Sequence, residues 1–84
     1  MLTNEEVHAR SLRIAQALKA RREKLGLSKN LLSQTAGVSV QTVAFIESGT
    51  NSPSLATFLR LCEALEVDPS LLLTLALGEG QEAK

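Results

Sequence analysis

Apolar residues recur along the chain at helical spacing, and glycines, prolines and small polar residues separate these runs. Val7, Ile14, Leu18 and Leu25 lie seven or four residues apart, which places them on one face of a helix. The same kind of pattern predicts five helices, and no segment alternates as a strand does. The predicted helices span about residues 4–24, 29–36, 40–48, 55–66 and 69–77.

The second and third predicted helices are short and lie very close together in sequence. Ser28 and Ser39 are placed to cap their first turns. Gly37 is placed to end the second helix in the left-handed conformation that glycine adopts easily. Because only residues 37–39 separate the two helices, residues 28–48 have the form of a helix-turn-helix.

The length and composition limit the kind of fold. We expect 84 residues to form one domain, 1–84, with a flexible tail at 79–84. Aromatic residues make up only 2% of the chain, so the core must consist mainly of Leu, Val, Ile and Ala. The lone cysteine, Cys62, excludes a disulfide within the chain, and we expect it to be a small buried apolar residue.

The sequence lacks the residues that several classes of protein function require. One histidine, His8, on a polar first turn, and scattered carboxylates do not make a catalytic or metal-binding cluster, so we expect no enzyme, no metal and no cofactor. No apolar run approaches the length of a membrane span, and the polar, acidic amino end is unlike a secretory signal. We therefore expect a cytoplasmic protein that makes no membrane contact.

The zero net charge hides an uneven distribution. Residues 1–29 hold seven Lys and Arg against three Glu, a charge of +4, whereas residues 30–84 hold two basic and six acidic residues, a charge of −4. Such asymmetry is typical of a protein with a polyanion partner, although a solvated basic helix face explains the charge equally well.

Many positions match one known family in register. They are Leu18, Arg22, Leu25, Gly26, Leu27, Ser28, Leu32, Ala36, Gly37, Val38, Ser39, Thr42, Val43, Ile46, Glu47, Gly49, Pro53, Ser54, Leu55, Leu59, Ala64 and Leu65. Together they resemble the lambda-repressor-like, Cro/cI-type (XRE family) helix-turn-helix domains, over about residues 10–75. The resemblance implies a compact, all-α, five-helix domain whose third helix lies in the major groove of double-stranded DNA.

The resemblance also implies roles for individual residues. Arg22 and Glu47 are expected to form a structural ion pair that locks the third helix and holds Arg22 near a phosphate; two unrelated surface charges are the alternative. The residues expected to contact bases are Val40, Gln41, Ala44 and Phe45. Gln41 has an amide that suits an adenine edge, whereas Val40 and Ala44 suit a thymine methyl.

Phosphate contacts are expected at the start of the second helix, on the third helix and in the loop that follows it. These residues are Ser28, Lys29, Asn30, Ser39, Thr42, Ser48, Thr50, Asn51 and Ser52. The chain departs from the family here, because no Lys or Arg lies between Lys29 and Arg60. Fewer cations predict weaker binding and a shallow salt dependence, unless basic residues of the first helix, such as Arg10, Arg13, Lys19 and Arg21, lie near the duplex.

The last predicted helix is apolar nearly all round, from Leu71 to Leu77. Because a surface helix of a small domain normally buries one stripe, we expect a homodimer through this helix, with Leu71, Leu75 and Leu77 at the interface. The alternative is that all these leucines bury against the first and fourth helices. A two-fold dimer would place two third helices about 34 Å apart and match a near-palindromic operator.

Two functions are consistent with the sequence. The first is a sequence-specific, homodimeric DNA-binding regulator of transcription, either a repressor or an activator. The second is a protein-interaction module that uses the apolar face of the third helix and binds DNA weakly or not at all. The near-zero net charge and the cation-poor loop favour the second, and the domain architecture favours the first.

Overall fold

The structure is a computed structural model, and it describes residues 1–78. It contains five α-helices, and a π-helical turn, Thr74–Gly78, directly continues the fifth. The α-helices are α1 (Asn4–Lys24), α2 (Lys29–Ala36), α3 (Val40–Glu47), α4 (Leu55–Ala64) and α5 (Pro69–Leu73). Within the described residues there is no strand, so the predicted all-α, five-helix fold is confirmed. The tail predicted at 79–84 lies outside them.

The core draws on all five helices and is almost entirely aliphatic. Its buried residues are Leu18, Leu32, Ala36, Val43, Ile46, Phe58, Leu61, Cys62, Leu65 and Leu72. Cys62 is fully buried, as predicted, and burial raises the pKa of its thiol, which therefore stays protonated. Each leucine buried in this way contributes about 1.5–3 kcal/mol to folding.

The apolar stripe predicted for α1 is wrong at both ends. Leu18 is buried and Ile14 packs at the edge of the core, but Val7 and Leu25 are exposed. Residues 1–9 are all exposed, so the first turns of α1 contribute nothing to the core. Leu25 follows the last helical residue and serves as the C-cap.

Three helices end earlier than their sequence pattern predicts. α3 ends at Glu47 rather than at 48, because Gly49 turns left-handed and the backbone N–H of Thr50 donates to the Phe45 carbonyl. α5 ends at Leu73 rather than at 77, because the helix widens into the π turn.

α4 ends at Ala64 rather than at 66, because Glu66 adopts the left-handed conformation, with φ of 56°. The N–H groups of Glu66 and Val67 donate back to the carbonyls of Glu63 and Cys62, both at 3.1 Å. This is a Schellman motif in which glutamate occupies the position that usually holds glycine. α1 ends in the same motif, but with Gly26 at the left-handed position.

The conformation of Glu66 predicts a stabilising substitution. Glu66→Gly should raise the free energy of unfolding by about 0.5–1 kcal/mol, because glycine removes the left-handed strain and loses only part of that gain to greater freedom in the unfolded chain. Urea unfolding followed by circular dichroism measures the change. Glu66→Ala is the matched control, since it removes the same charge and keeps the strain; equal stabilisation by both variants would contradict the backbone explanation.

Candidate nucleic-acid interface

α2 and α3 form a tightly turned pair. Gly37 has a φ of 76°, as the turn requires, and Ser39, two residues later, is the N-cap of α3. The Ser39 hydroxyl accepts a hydrogen bond from the Thr42 N–H at 3.0 Å and lies 2.8 Å from the Thr42 hydroxyl. Ser28 caps α2 in the same way, accepting from the Leu31 N–H at 3.0 Å. The predicted caps and the predicted turn are confirmed.

α3 has one buried face and one outward face. Val43 and Ile46 are buried in the core and fix the helix against its neighbours. On the outward face, Gln41 is exposed, and Val40 and Phe45 are 42% and 39% exposed. Ala44 is half-buried. Three of the four residues expected to contact bases therefore lie open to solvent.

Phe45 lines a groove beside α3. The groove has a volume of about 250 Å³, and its walls come from α3, the following loop and the start of α4. The lining residues are Thr42, Phe45, Ile46, Asn51, Ser52, Pro53, Ser54 and Thr57.

The predicted ion pair between Arg22 and Glu47 is present and bidentate. Arg22 Nε lies 2.7 Å from Glu47 Oε2, and Arg22 Nη2 lies 2.9 Å from Glu47 Oε1. Both side chains are almost fully covered, at 10% and 5% exposure. The hydrogen bond to Glu47 raises the pKa of Arg22, so the guanidinium stays charged.

The same burial limits what Arg22 can do besides locking α3. Its Nη1 donates to the Leu27 carbonyl at 2.8 Å, so one guanidinium joins α1, the α1–α2 loop and the end of α3. With three bonds inside the protein and 10% exposure, the group is directed inward. The expectation that Arg22 is held near a phosphate is therefore not supported.

The loop after α3 is folded back onto the end of that helix. The Phe45 carbonyl accepts hydrogen bonds from the N–H groups of Thr50 and Asn51 and from the Ser48 hydroxyl. The Ser48 and Thr50 hydroxyls lie 2.8 Å apart. Because this network uses both hydroxyl hydrogens inside the loop, Asn51 and Ser52 remain as its side-chain donors toward a ligand.

Comparison with known proteins identifies the family. Residues 18–72 match the helix-turn-helix family HTH_3. The chain belongs to the helix-turn-helix family. It is 42% identical, over 50 residues, to the uncharacterized HTH-type transcriptional regulator YgzD of Bacillus subtilis (strain 168), and this region covers 60% of the present chain and 76% of YgzD.

Two solved structures share the fold of this helix-turn-helix protein. The restriction-modification controller protein C.AhdI from Aeromonas hydrophila is 31% identical, with a TM-score of 0.70 over 73% of the present chain and 92% of C.AhdI. The clp gene regulator ClgR from C. glutamicum is 24% identical, with a TM-score of 0.75 over 84% of the chain and 91% of ClgR, and this likeness concerns the fold alone. The family is one of non-enzymatic, DNA-binding regulators of transcription.

Arg21 has a role in this helix-turn-helix protein that its sequence does not predict. Its Nε donates to the Leu65 carbonyl at 3.0 Å, and its Nη2 donates to the Glu66 carbonyl at 3.1 Å. A cation therefore satisfies the carbonyls at the end of α4 and opposes the negative end of its dipole. These bonds hold the Arg21 guanidinium at the end of α4, and the acceptors lie too far away in sequence to be inferred from it.

The predicted dimer face is exposed at two of its three residues. Leu71 and Leu75 are 51% and 69% exposed, whereas Leu77 is half-buried. Leu72 is buried, and Leu73 packs at the edge of the core. The alternative in which all the leucines of this segment bury against α1 and α4 is therefore wrong.

A groove of about 530 Å³ lies between α1 and α5 beside the exposed leucines. Its lining residues are Ala17, Ala20, Arg21, Lys24, Glu66, Val67, Asp68, Leu71, Leu72 and Leu75.

No helix within residues 1–78 is both long and apolar enough to cross a membrane. The same residues contain no group of three or more His, Cys, Asp and Glu side chains arranged to hold a metal ion.

Proposed function

We propose that this protein is a sequence-specific DNA-binding regulator of transcription that acts as a homodimer on a near-palindromic operator in the cytoplasm. The observation that carries the proposal is the outward face of α3, which presents Val40, Gln41 and Phe45 while Val43 and Ile46 hold the helix in place. A rigid helix with an open face can enter the major groove, where base pairs are distinguishable.

Contacts to the DNA backbone would orient α3 in the groove. The start of α2 offers unpaired N–H groups, the positive end of a helix dipole and the ammonium group of Lys29. The proposed phosphate contacts are Ser28, Lys29, Asn30, Ser39, Thr42, Asn51 and Ser52. Ser48 and Thr50, which the sequence also suggested, are left out because their hydroxyl and backbone hydrogens are bonded within the end of α3 and the loop. Among the loop residues, Asn51 and Ser52 have side-chain donors that are not used within the loop.

The test starts from duplexes selected from a random pool by the purified protein. Gln41→Ala should weaken binding to the selected site by about 1–2 kcal/mol and relax the preference at one base pair, because the amide contacts one base edge. Fluorescence anisotropy at two salt concentrations measures both effects. Gln16→Ala, at an exposed glutamine of α1, is the matched control.

Two outcomes would count against this assignment. Equal weakening on cognate and scrambled sites would show that Gln41 does not contact a base. No binding to any duplex at low salt would favour the second candidate function, a protein-interaction module. Two features suit such a module: Val40 and Phe45 are exposed, and residues Asn30 to Leu59 include no Lys or Arg.

The proposed dimer uses Leu71, Leu75 and Leu77. Exposed leucines side by side are unusual on a small soluble domain and are typical of a partner surface. The adjoining groove has basic residues, Arg21 and Lys24, and acidic residues, Glu66 and Asp68, so a second copy can offer complementary charge about a two-fold axis.

A charge at the centre of this face should separate the dimer. Leu75→Glu is expected to give the mass of one chain in sedimentation equilibrium at concentrations where the parent protein gives twice that mass, because the interface would bury an unpaired carboxylate. Leu55→Glu is the matched control, since Leu55 is 74% exposed on α4. An unchanged mass for Leu75→Glu would exclude this face as the interface.

A further inference from the structure

The outward face of α3 lacks the charged groups that usually recognise G·C pairs. Direct contact with guanine is made most often by Arg or Lys, and cytosine is contacted by Asp or Glu. From Asn30 to Leu59 the chain has no Lys, no Arg and no Asp, and its one acidic residue in that stretch is Glu47. Glu47 is 5% exposed and bonded to Arg22, so it is not available to a base.

The outward face of α3 instead presents apolar side chains around the amide group of Gln41. Val40 and Ala44 are four residues apart on α3, as are Gln41 and Phe45, so the four side chains form two adjacent pairs on one side of the helix. Val40 and Phe45 expose 42% and 39% of their surface, and Gln41 is also exposed. In the major groove the apolar feature of a base edge is the C5-methyl group of thymine.

We propose that α3 recognises the C5-methyl groups of thymines, so that the centre of each operator half-site consists of A·T pairs. Val40, Ala44 and Phe45 contact the methyl groups, and Gln41 binds the N6 and N7 edge of an adenine. This inference rests on the proposed function, because it requires α3 to enter the major groove.

5-Methylcytosine carries the same methyl group, so the source of the methyl must be distinguished. Its base pair also presents guanine, whose usual Arg and Lys partners are missing from α3 and the loop. The adenine paired with a thymine suits the amide of Gln41. The residues on this face therefore favour thymine.

The experiment changes the DNA and leaves the protein intact. In the selected duplex, each thymine of a half-site is replaced in turn by deoxyuridine, which keeps the base pairing and removes one methyl group. Two or more positions per half-site should each weaken binding about 4-fold, the effect of losing one buried methyl group. Deoxyuridine outside the half-sites is the control and should leave the Kd unchanged.

A variant assigns the contact to a side chain. With Phe45→Ala, one of the sensitive positions should lose its deoxyuridine effect, while the others keep theirs. Circular dichroism shows that the variant is folded, and retention of the effect at the other positions shows that it still binds in register. If the Phe45→Ala variant keeps the effect at every position, Phe45 contacts no methyl group.

The outcomes separate this inference from the proposed function. If the parent protein binds the selected duplex but deoxyuridine has no effect at any half-site position, or if the half-site centres are G·C pairs, the methyl inference is overturned and the regulator remains. If duplexes with 5-methylcytosine at the sensitive positions bind more tightly than those with thymine, thymine is the wrong source. If no duplex binds, the proposed function fails and this inference fails with it.

Discussion

Replacing Glu47 by alanine should destabilise the fold by about 3 kcal/mol, the largest effect we expect from one substitution. The carboxylate is the bidentate partner of Arg22, and both side chains are almost fully covered. Removing it leaves a buried guanidinium that still donates to the Leu27 carbonyl but has lost its counter-charge. Urea unfolding followed by circular dichroism measures the loss.

Glu23→Ala is the matched control for this prediction. Glu23 also lies within reach of Arg22, with 4.0 Å between Oε2 and Nη2, but its side chain is 57% exposed. An exposed pair of this kind contributes less than about 1 kcal/mol. Comparable losses in the two variants would show that burial of the Arg22–Glu47 pair does not determine its contribution.

A double variant tests the cause more directly. Arg22→Met combined with Glu47→Leu should cost less than Glu47→Ala alone, because two apolar side chains leave no uncompensated buried charge. The same double variant should bind DNA less well than its stability alone explains, since the orientation of α3 then depends on packing without the bidentate pair.

Gly49→Ala should destabilise the fold by about 2 kcal/mol, the second largest effect. Gly49 has a φ of 82°, which costs a residue with a Cβ about 1–2 kcal/mol. A Cβ at this position would also meet Leu12 Cδ2 at 2.5 Å, so the Leu12 side chain must move. Thermal and urea unfolding of the variant measure the sum of the two effects.

Gly26→Ala separates the two causes. Gly26 has a similar φ, 73°, but no heavy atom lies within 4 Å of the position that its Cβ would take. This variant should lose only the backbone contribution, about 1 kcal/mol. Leu12→Ala in the Gly49→Ala background should recover part of the additional loss, and the steric explanation is wrong if the two glycine variants are equally unstable.

The helix starts and the helix-turn-helix could be predicted from local signals in the sequence. Ser28 and Ser39 cap their helices through their own side chains, and Gly37 turns left-handed, so these features depend on residues close in sequence. The pairing of Arg22 with Glu47 crosses 25 residues and came from the family resemblance. Neither propensity nor spacing alone would have found it.

The features that the sequence did not predict depend on tertiary contacts. Arg21 reaches a carbonyl 44 residues away, and no local pattern encodes that contact. Glu66 adopts the left-handed conformation that glycine usually adopts at a helix end. Because no glycine marks this end, the sequence pattern predicts α4 two residues too long. The exposure of Val7 could not be inferred from its periodicity, because a stripe shows which residues share a face and not how far the neighbouring helices extend.

Arg21 and Arg22 are adjacent in sequence but point to different partners. One holds the carbonyl end of α4, and the other holds the carboxylate at the end of α3. The last turn of α1 therefore holds the ends of both α3 and α4. Fraying of that turn would release both ends together, so the local unfolding free energy of α1 also sets how firmly the outward face of α3 is held.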